Sequence, residues 1–528
     1  MSCLVVAGAW LATALGQGAG GGSQPTATPP LKGEGLFAAN PIRRLAIEIP
    51  PEEMASLRRD AREFVPATVR EDQTVCREVA VHLKGSTGSF RGLDDKPSLT
   101  LDFARFQRDQ RFHGLRRIYL NNSVEDPACV NEIIGSELFR AAGVPAPRVT
   151  RVEVTLNGRR LGLYVLKEGF TEDFLASAFR RVEGNLYDTD WGHDVDQRMK
   201  RNLGRGPRDE QSDLDALAAA AQEPDPERRW QRLSGVLDLD RFLSFMAMEV
   251  MICHRDGYCL ARNNFRIYHD PETGRMVFLP HGMDQLLGKS DLPWEPHMAG
   301  LVARAVMELP EGRQRYRERF TALFGRLFDV ASLTNRVNQL VGDVRASVSV
   351  SEFNAIAAEA AAVCDRLRQR HAFLADELRR PEPAPVALPA GVAKPGSWFK
   401  VDDPLDGRMD VARDADGRQS LHIKSGATTA ASWRARVLLN PGRYRFEGKA
   451  RVAAVRRLPN SRHQGAALRV AGETRADAGL EGDVPWRPLN FDFEIRAAST
   501  WVELICELRA SGGDAWFDLD SLRLVKIQ

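Results

Sequence analysis

The residues from His113 to Glu168 read HGLRRIYLNNSVEDPACVNEIIGSELFRAAGVPAPRVTRVEVTLNGRRLGLYVLKE. Between Asp126 and Gly143 the apolar residues recur with the spacing of one helix face, and an Asp-Pro pair and a glycine supply start and stop signals. Asn157-Gly158 then separates two alternating apolar runs, which predicts a β-hairpin from Val149 to Glu168. This part of the chain therefore combines short strands with a helix.

Strand patterns also dominate the sequence before this stretch. Arg44 to Pro50, Arg77 to Gly85 and Ser98 to Phe103 alternate as strands, and Pro51 to Ala61 has the proline and early acidic residues of a helix start. From about Asp209 to Arg380 helical patterns prevail. The sequence predicts an α+β domain over residues 36–380, with a β-rich first part and a helical second part.

A change in composition marks the end of that domain. Residues 380–396 read RPEPAPVALPAGVAKPG, a proline density that predicts a semi-rigid linker at 381–396 without regular structure. Residues 397–528 then show short alternating strands with regular turns, which predicts an all-β jelly-roll sandwich. Four tryptophans of this region either stack on sugars of a polysaccharide or belong to the core: Trp398, Trp433, Trp486 and Trp516.

Length and composition limit the class of protein. The 528 residues require two or three domains, and 43% hydrophobic and 27% charged residues are typical of a globular protein. A net charge of +2 without a concentrated basic face gives no reason to expect a nucleic-acid partner. Residues 1–16 resemble a signal peptide and residues 17–35 a flexible tether, which predicts a secreted, periplasmic or cell-envelope protein without a transmembrane span.

Seven cysteines are present, and loss of Cys3 with the signal peptide would leave six. An even number in an exported chain permits disulfides. Cys253 and Cys259 flank Asp256, so a bridge between them could brace that loop, and the alternative is a pair of buried, small apolar side chains.

Two acidic segments carry the candidate chemistry, HRDGYCLARNNFRIY from His254 to Tyr268 and VFLPHGMDQLLG from Val277 to Gly288. They offer Asp256, Asn264 and Asp284, the residue types that phosphoryl transfer requires. One carboxylate orients the hydroxyl proton, while the amide and the second carboxylate hold magnesium. The alternative is a transition metal between the histidines of these two segments.

A glycine-rich turn and a lysine could hold phosphates. The stretch LKGSTGSFRGLDDKPSLTLDF, Leu83 to Phe103, places a turn rich in backbone N–H groups before Lys96. The following helix carries Glu132 and Glu137, of which Glu132 is the preferred ion-pair partner of Lys96. Glu168 ends the hairpin, where a β-rich part would pass into a helical part.

In this order the segments resemble the CotH family, the spore-coat-protein-H-like atypical protein kinases. The similarity covers residues 36–380, and the run from LNN through LFRAAGVPAPR to GLYVLKE is specific. The resemblance implies a kinase-like, two-lobed fold that binds ATP with Mg²⁺ or Mn²⁺ and phosphorylates Ser or Thr of exported proteins. The C-terminal strands, more loosely, resemble carbohydrate-binding-module-like jelly rolls.

The resemblance also implies roles for single residues. Asp256 would be the catalytic aspartate, with Asn264 and Asp284 as metal ligands. The residues implied to contact the nucleotide are Lys84, Ser86, Lys96, Glu132 and Glu168, with Lys96 also assigned to catalysis. Many family members carry W-D-x-D where this chain has His-Gly-Met-Asp at 281–284. The alternative function is therefore a non-catalytic envelope or coat scaffold with a glycan-binding sandwich.

Overall fold

The computed structural model describes residues 31–527 except 38–41, 87, 190–191, 208, 382–383, 403, 405, 415–416, 459–463, 472–478 and 497–498. The predicted signal peptide and most of the predicted tether lie outside the described residues. The end of the tether is packed: α1 spans Glu34–Phe37, Leu36 is buried, and Lys32 forms a 2.7 Å ion pair with Asp173. The predicted tether is therefore wrong for residues 31–35.

Seven strands close into a barrel. They are β1 Arg43–Glu48, β2 Val65–Glu71, β3 Thr74–Lys84, β4 Ser98–Asp102, β5 Arg117–Asn121, β6 Val149–Leu156 and β7 Arg159–Glu168. The barrel order is β1-β2-β3-β4-β5-β7-β6, and its closing pair, β1 with β6, is parallel. Alternating apolar side chains fill the interior, so the barrel has its own core. The helix α2, Pro51–Arg59, begins at the proline as predicted.

The predicted hairpin is confirmed. Asn157 and Gly158 connect β6 to β7 with φ values of 47° and 79°, a left-handed conformation that Asn and Gly tolerate best. The Asn157 side chain also bonds both backbone groups of Ile49, at 2.7 and 2.9 Å. The helix α3, Asn131–Ala141, starts later than predicted because the Asp126 carboxylate accepts the Asn131 amide at 2.8 Å across the preceding turn.

The second part of the domain is mainly helical, as predicted. Its helices are α4 Glu172–Ala176, α5 Ser212–Ala221, α6 Pro226–Val236, α7 Leu239–Met251, α8 Tyr258–Ala261, α9 Leu301–Met307, α10 Pro310–Leu327, α11 Val330–Val344 and α12 Val350–Arg379. A four-stranded sheet of order β11-β10-β8-β9 accompanies them. Its strands are β8 Leu186–Asp188, β9 Lys200–Leu203, β10 Phe265–Asp270 and β11 Arg275–Pro280. No helix in the described ranges is both long and apolar enough to cross a bilayer.

One buried arginine connects the long helix α12 to the loops around the acidic segments. Arg370 is fully buried and donates to the carbonyls of Val250 at 2.8 Å, Met251 at 3.0 Å and Ser290 at 3.1 Å. Val250 and Met251 end α7 and Ser290 lies in the loop after β11, so Arg370 provides a donor for carbonyls at a helix end and in a loop and holds these segments together.

The C-terminal region is a sandwich of antiparallel strands. One sheet has the order β12-β22-β17-β21-β15-β14 with β19 beside β17, and the other has the order β13-β16-β20-β18. The strands are β12 Val392–Ala393, β13 Trp398–Val401, β14 Arg408–Arg413, β15 Gln419–Lys424, β16 Thr429–Leu439, β17 Gly442–Arg456, β18 Gly465–Val470, β19 Gly482–Ile495, β20 Thr500–Ala510, β21 Gly512–Asp518 and β22 Arg523–Lys526. Part of the predicted linker belongs to this region, because Pro389–Gly391 form a 3₁₀ turn and β12 pairs with β22.

The described cysteines are all buried thiols. Cys253 and Cys259 are free, so the predicted bridge between them is wrong, and the alternative of small apolar core side chains is confirmed. The Cys253 thiol points to the Lys289 carbonyl at 3.0 Å, away from a partner sulfur.

Candidate functional site

A buried ion pair joins the barrel to the helical part. Lys167, near the end of β7, lies 2.9 and 3.1 Å from the carboxylate oxygens of Glu132 in the first turn of α3. Each side chain is 1% exposed. Glu132 also accepts the Met283 amide at 2.7 Å, which connects the pair to the loop after β11. A buried charge is tolerated when it is paired and hydrogen-bonded in this way.

Glu132 therefore pairs with a lysine as predicted, but the predicted lysine is wrong. The Lys96 ammonium lies 5.1 Å from the centre of the Tyr164 ring, in a separate cavity of about 290 Å³ that Cys129 and Glu352 also line. Burial lowers the pKa of Lys96. The sequence contained a signal for Lys167, since it interrupts a strand whose other residues from Leu161 onward are apolar apart from the terminal glutamate.

Lys84 is a second cation near this ion pair, and the charged region of Lys84, Lys167, Glu132 and Asp284 is called the cleft below. It ends β3, and its ammonium donates to the Asn121 side-chain oxygen and lies 5.6 Å from the centre of the Tyr119 ring. Burial and then the Lys167 charge lower the pKa of Lys84 to about 8. Among the described residues no carboxylate forms an ion pair with Lys84, so its charge is available to an external anion.

The glycine-rich turn follows Lys84 directly. Ser86 is exposed, and its carbonyl accepts the amides of Ser89 at 3.1 Å and Phe90 at 2.9 Å. Gly88 has φ 96°, and a Cβ there would approach a Glu125 carboxylate oxygen to 2.8 Å. Glycine is favoured here by the positive φ, whereas the flexible Glu125 side chain could move away from a Cβ. Glu125, Asp126 and Asp284 form the acidic edge of the cleft, and the turn lies beside it at Glu125.

Asp284 lies on that acidic edge. The Asn131 side chain donates to the Asp284 carbonyl at 2.7 Å and fixes the loop after β11. Burial and then the Glu132 charge raise the pKa of Asp284. Burial also raises the pKa of nearby Asp126 to about 7. No lysine or arginine of the described chain forms an ion pair with Asp284, so its carboxylate is open to a cation.

Asn264 is packed against the same loop. Its side chain donates to the Gly282 carbonyl at 3.1 Å, and its own carbonyl accepts the His281 amide at 2.9 Å. A Cβ on Gly282, which has φ 55°, would lie 2.6 Å from the Asn264 side chain. The structure therefore places Asn264 against Gly282, two residues before Asp284, while the binding of a metal by Asn264 and Asp284 stays a prediction.

The loop of Asp256 is held through a histidine. His254 is fully buried, with Nε2 3.0 Å from the Gly282 carbonyl and Nδ1 3.5 Å from Glu249. The Asp256 side chain is 39% exposed and lies 3.8 Å from Arg255. The structure joins the two acidic segments by this contact, and the catalytic role of Asp256 stays a prediction.

The alternative of a transition metal between the two histidines finds no support in the described residues. No group of three or more His, Cys, Asp or Glu side chains there is arranged to hold a metal ion. His281 Nδ1 lies 3.3 Å from the Lys167 ammonium. Burial and then the charges of Lys167 and Arg266 hold the pKa of His281 well below its usual value, so the ring is neutral. Arg266 lies on β10, two residues after Asn264, and was not among the predicted site residues.

Glu168 is engaged in a structural ion pair. Arg148 binds both carboxylate oxygens, at 2.6 and 3.0 Å, and adds its backbone amide at 3.2 Å. The carboxylate is 1% exposed. The predicted position of Glu168 at a nucleotide edge is not supported, because its hydrogen-bonding capacity is used inside the protein.

Packing accounts for Trp398 and Trp433, whereas the rings of Trp486 and Trp516 lie against arginines on a partly exposed part of the sandwich. Trp433 is 5% exposed and donates to the His422 carbonyl, and Trp398 packs against the core. The Trp516 ring lies between His422, whose ring centre is 4.9 Å away, and the Arg451 guanidinium at 4.3 Å. These neighbours come from the strands on either side of β21, so packing within the sheet accounts for the position of Trp516, and sugar binding there stays a prediction.

Comparison with known proteins identifies relatives of the first domain of the chain. The family model described as CotH kinase protein matches residues 81–374. Inner spore coat protein H of Bacillus subtilis is 21% identical over 300 residues, 52% of this chain and 81% of that protein. Invasin CotH2 of Rhizopus delemar is 24% identical over 250 residues, 41% of this chain and 42% of the invasin. The chain thus spans less than half the length of that invasin.

Solved structures similar to the C-terminal sandwich include TmCBM61 in complex with beta-1,4-galactotriose. It is 16% identical and covers 26% of this chain and 92% of its own, with a TM-score of 0.19, too low to support an argument about ligands. The family match is the stronger finding, because it extends over more than half of the chain and contains the cleft residues Lys84, Glu132, Lys167 and Asp284. The chain belongs to the CotH kinase protein family.

Proposed function

We propose that this protein is a CotH-type kinase that transfers the terminal phosphate of ATP to Ser or Thr of exported proteins. The observation that carries the proposal is the charge arrangement of the cleft. Lys167 and Glu132 neutralise each other, whereas the Lys84 ammonium and the Asp284 carboxylate have no ion-pair partner among the described residues. A nucleotide phosphate with a bound metal would provide an anion for Lys84 and a cation for Asp284.

The residues of the cleft fit such a ligand. Magnesium in phosphoryl-transfer sites takes one or two carboxylates together with phosphate oxygens, rather than a cage of protein ligands. Asp284 with the adjacent Asn264 agrees with that requirement. When bound, Mg²⁺ or Mn²⁺ supplies positive charge to the phosphate oxygens. Lys84 would hold phosphate, Lys167 would be oriented by Glu132, and Asp256 would orient the acceptor hydroxyl.

The barrel and the helical part would act as the two lobes of a kinase-like domain, since the charged residues of the cleft come from both. Lys84 and Lys167 belong to the barrel, and Glu132 and Asp284 belong to elements packed in the helical part. The names of the relatives, an invasin and a spore coat protein, support an extracellular or envelope location and an exported acceptor.

A non-catalytic scaffold is the second candidate function. One observation favours it: Gly282 stands where many family members have an aspartate, so Asp284 is the single carboxylate of the 281–284 segment. Such a protein would keep the fold without turnover.

Transfer of labelled phosphate from ATP decides between the two. The purified chain is incubated with labelled ATP and a generic Ser/Thr protein acceptor, with Mg²⁺, with Mn²⁺ or with a chelator. We expect label in the acceptor with either metal and none with the chelator. Absence of transfer, together with absence of thermal stabilisation by ATP, would contradict the kinase and favour the scaffold.

We expect the affinity for ATP to fall as the pH rises above about 8. The pKa of Lys84 is about 8 in the free protein, and a bound anion favours the charged ammonium, which raises the pKa in the complex. Binding is therefore strongest below pH 8, where Lys84 is already charged, and weakens by up to about tenfold per pH unit above it. Calorimetric Kd values between pH 7.5 and 9.5 measure this.

The matched variant is Lys84→Arg, because a guanidinium stays charged throughout that range. Its affinity for ATP is expected to be nearly independent of pH. An equal pH dependence in the wild type and in this variant would contradict the role of Lys84.

A further inference from the structure

We propose that Arg266 binds the phosphate chain of the nucleotide together with Lys84. This inference rests on the proposed function, and it assigns a ligand to a residue that neither the sequence analysis nor the family comparison singled out. Arg266 lies on β10, two residues after Asn264. The argument depends on its unused hydrogen-bonding capacity, on the charges around it and on the way its side chain is held.

The Arg266 guanidinium is buried but incompletely bonded. The residue is 7% exposed, and Nη2 donates to the Asp188 carboxylate at 2.7 Å. Its Nε is buried and has no hydrogen-bond partner among the described residues. A buried donor without an acceptor destabilises the folded protein, and more so when the group is charged. An incoming anion would satisfy this donor.

The charges around Arg266 favour the same ligand. Its positive charge contributes to lowering the pKa of Lys84 and of His281, as does that of Lys167, so these cations face one region. Asp188 neutralises Arg266 and Glu132 neutralises Lys167, whereas Lys84 has no carboxylate within ion-pair distance among the described residues and is attracted by Glu132 and Asp284 only from further away. Like charges in a poorly solvated cleft repel each other unless an anion lies between them. A polyphosphate carries the several negative charges that this arrangement can accept.

The side chain is held in place for such a contact. Asp188 lies directly opposite Arg266 on the neighbouring strand β8. Its carboxylate also accepts a hydrogen bond from the side-chain amide of Asn202 at 3.0 Å. The guanidinium lies 4.3 Å from the centre of the Phe170 ring, which itself packs edge-on against His281. A guanidinium fixed in this way loses little entropy on binding phosphate. The structural alternative is that Arg266 merely pairs β8 with β10, which leaves the free Nε unexplained.

Binding of ATP and of inorganic tripolyphosphate to Arg266→Gln tests the proposal. Calorimetry with Mg²⁺ present is expected to show at least a tenfold loss of affinity for both ligands. Arg266→Lys keeps the charge and a donor to Asp188 but lacks the Nε–H, so a smaller loss is expected. Arg275→Gln on the adjacent strand β11 removes an exposed arginine and is the matched control, with unchanged affinity.

Thermal unfolding without ligand verifies that each variant is folded. Should Arg266→Gln be unfolded, Arg266→Lys alone carries the test. Unchanged affinity of the folded variants for both ligands would overturn the proposal. Tripolyphosphate binding that depends on Arg266, without detectable ATP binding, would support the anion site and reject the nucleotide. Failure of the wild type to bind either ligand would overturn both proposals.

Discussion

In the Asp284→Ala variant, metal-dependent transfer of label from ATP falls at least about a hundredfold, the size of effect seen when one preorganised electrostatic group of an active site is removed. Asp284 is the carboxylate of the cleft that forms no direct ion pair with a described residue, although the Lys167 charge acts on it from further away. Removing it takes away the expected metal ligand. Initial rates over a range of Mg²⁺ and Mn²⁺ concentrations measure the loss.

The free energy of unfolding of Asp284→Ala should not fall with its activity. Burial raises the pKa of Asp284, so the folded protein disfavours the charged form, and an uncharged residue there does not lower the free energy of unfolding. The matched control is Asp291→Ala, which replaces an exposed aspartate three residues after the end of that acidic segment. Its transfer of label should be unchanged. Wild-type transfer by Asp284→Ala would show that the metal is held elsewhere.

Lys167→Met is expected to lower the free energy of unfolding by about 3–5 kcal/mol, because it leaves the Glu132 charge buried and unpaired. Both side chains are 1% exposed, so solvent cannot compensate the lost partner. The same variant should also lose binding of ATP, because it removes the cation that Glu132 orients in the cleft. Urea unfolding followed by circular dichroism gives the stability change.

A second substitution separates the ion pair from simple packing. In Lys167→Met with Glu132→Gln, the amide still accepts the Met283 N–H but carries no charge, so most of the lost stability should return. Lys289→Met, at an exposed lysine, is the matched control and should change stability by less than about 0.5 kcal/mol. A loss below 1 kcal/mol in Lys167→Met would contradict a buried, charged pair.

Much of the fold could be predicted from local patterns. The hairpin around Asn157-Gly158 follows from two residues that tolerate positive φ, and α2 follows from a proline in its first position. The sandwich follows from the alternation of its strands. Closure of the barrel through the parallel β1–β6 pair could not be predicted, because it joins residues about a hundred positions apart by backbone hydrogen bonds that any side chain permits.

The candidate site was predicted in part. Glu132 was identified as the ion-pair partner of a lysine, and Asn264 and Asp284 do lie on adjoining loops. Lys96 was chosen because it follows a glycine-rich turn, yet Tyr164 and Glu352 surround it in another cavity. Trp516 was predicted as a residue that either stacks on sugars or packs in the core, and His422 and Arg451 of the neighbouring strands pack against its ring.

What the sequence alone determined is the set of elements, the likeness to the CotH family and the residue types available for phosphoryl transfer. These depend on periodicity, on turn residues and on spacing along the chain. Only the tertiary structure decided which charges meet: Lys167 with Glu132, Arg266 with Asp188, and Lys84 and Asp284 without a direct ion pair in the described chain. Ion pairing depends on distances of a few ångströms and on burial, and neither quantity is encoded in local sequence.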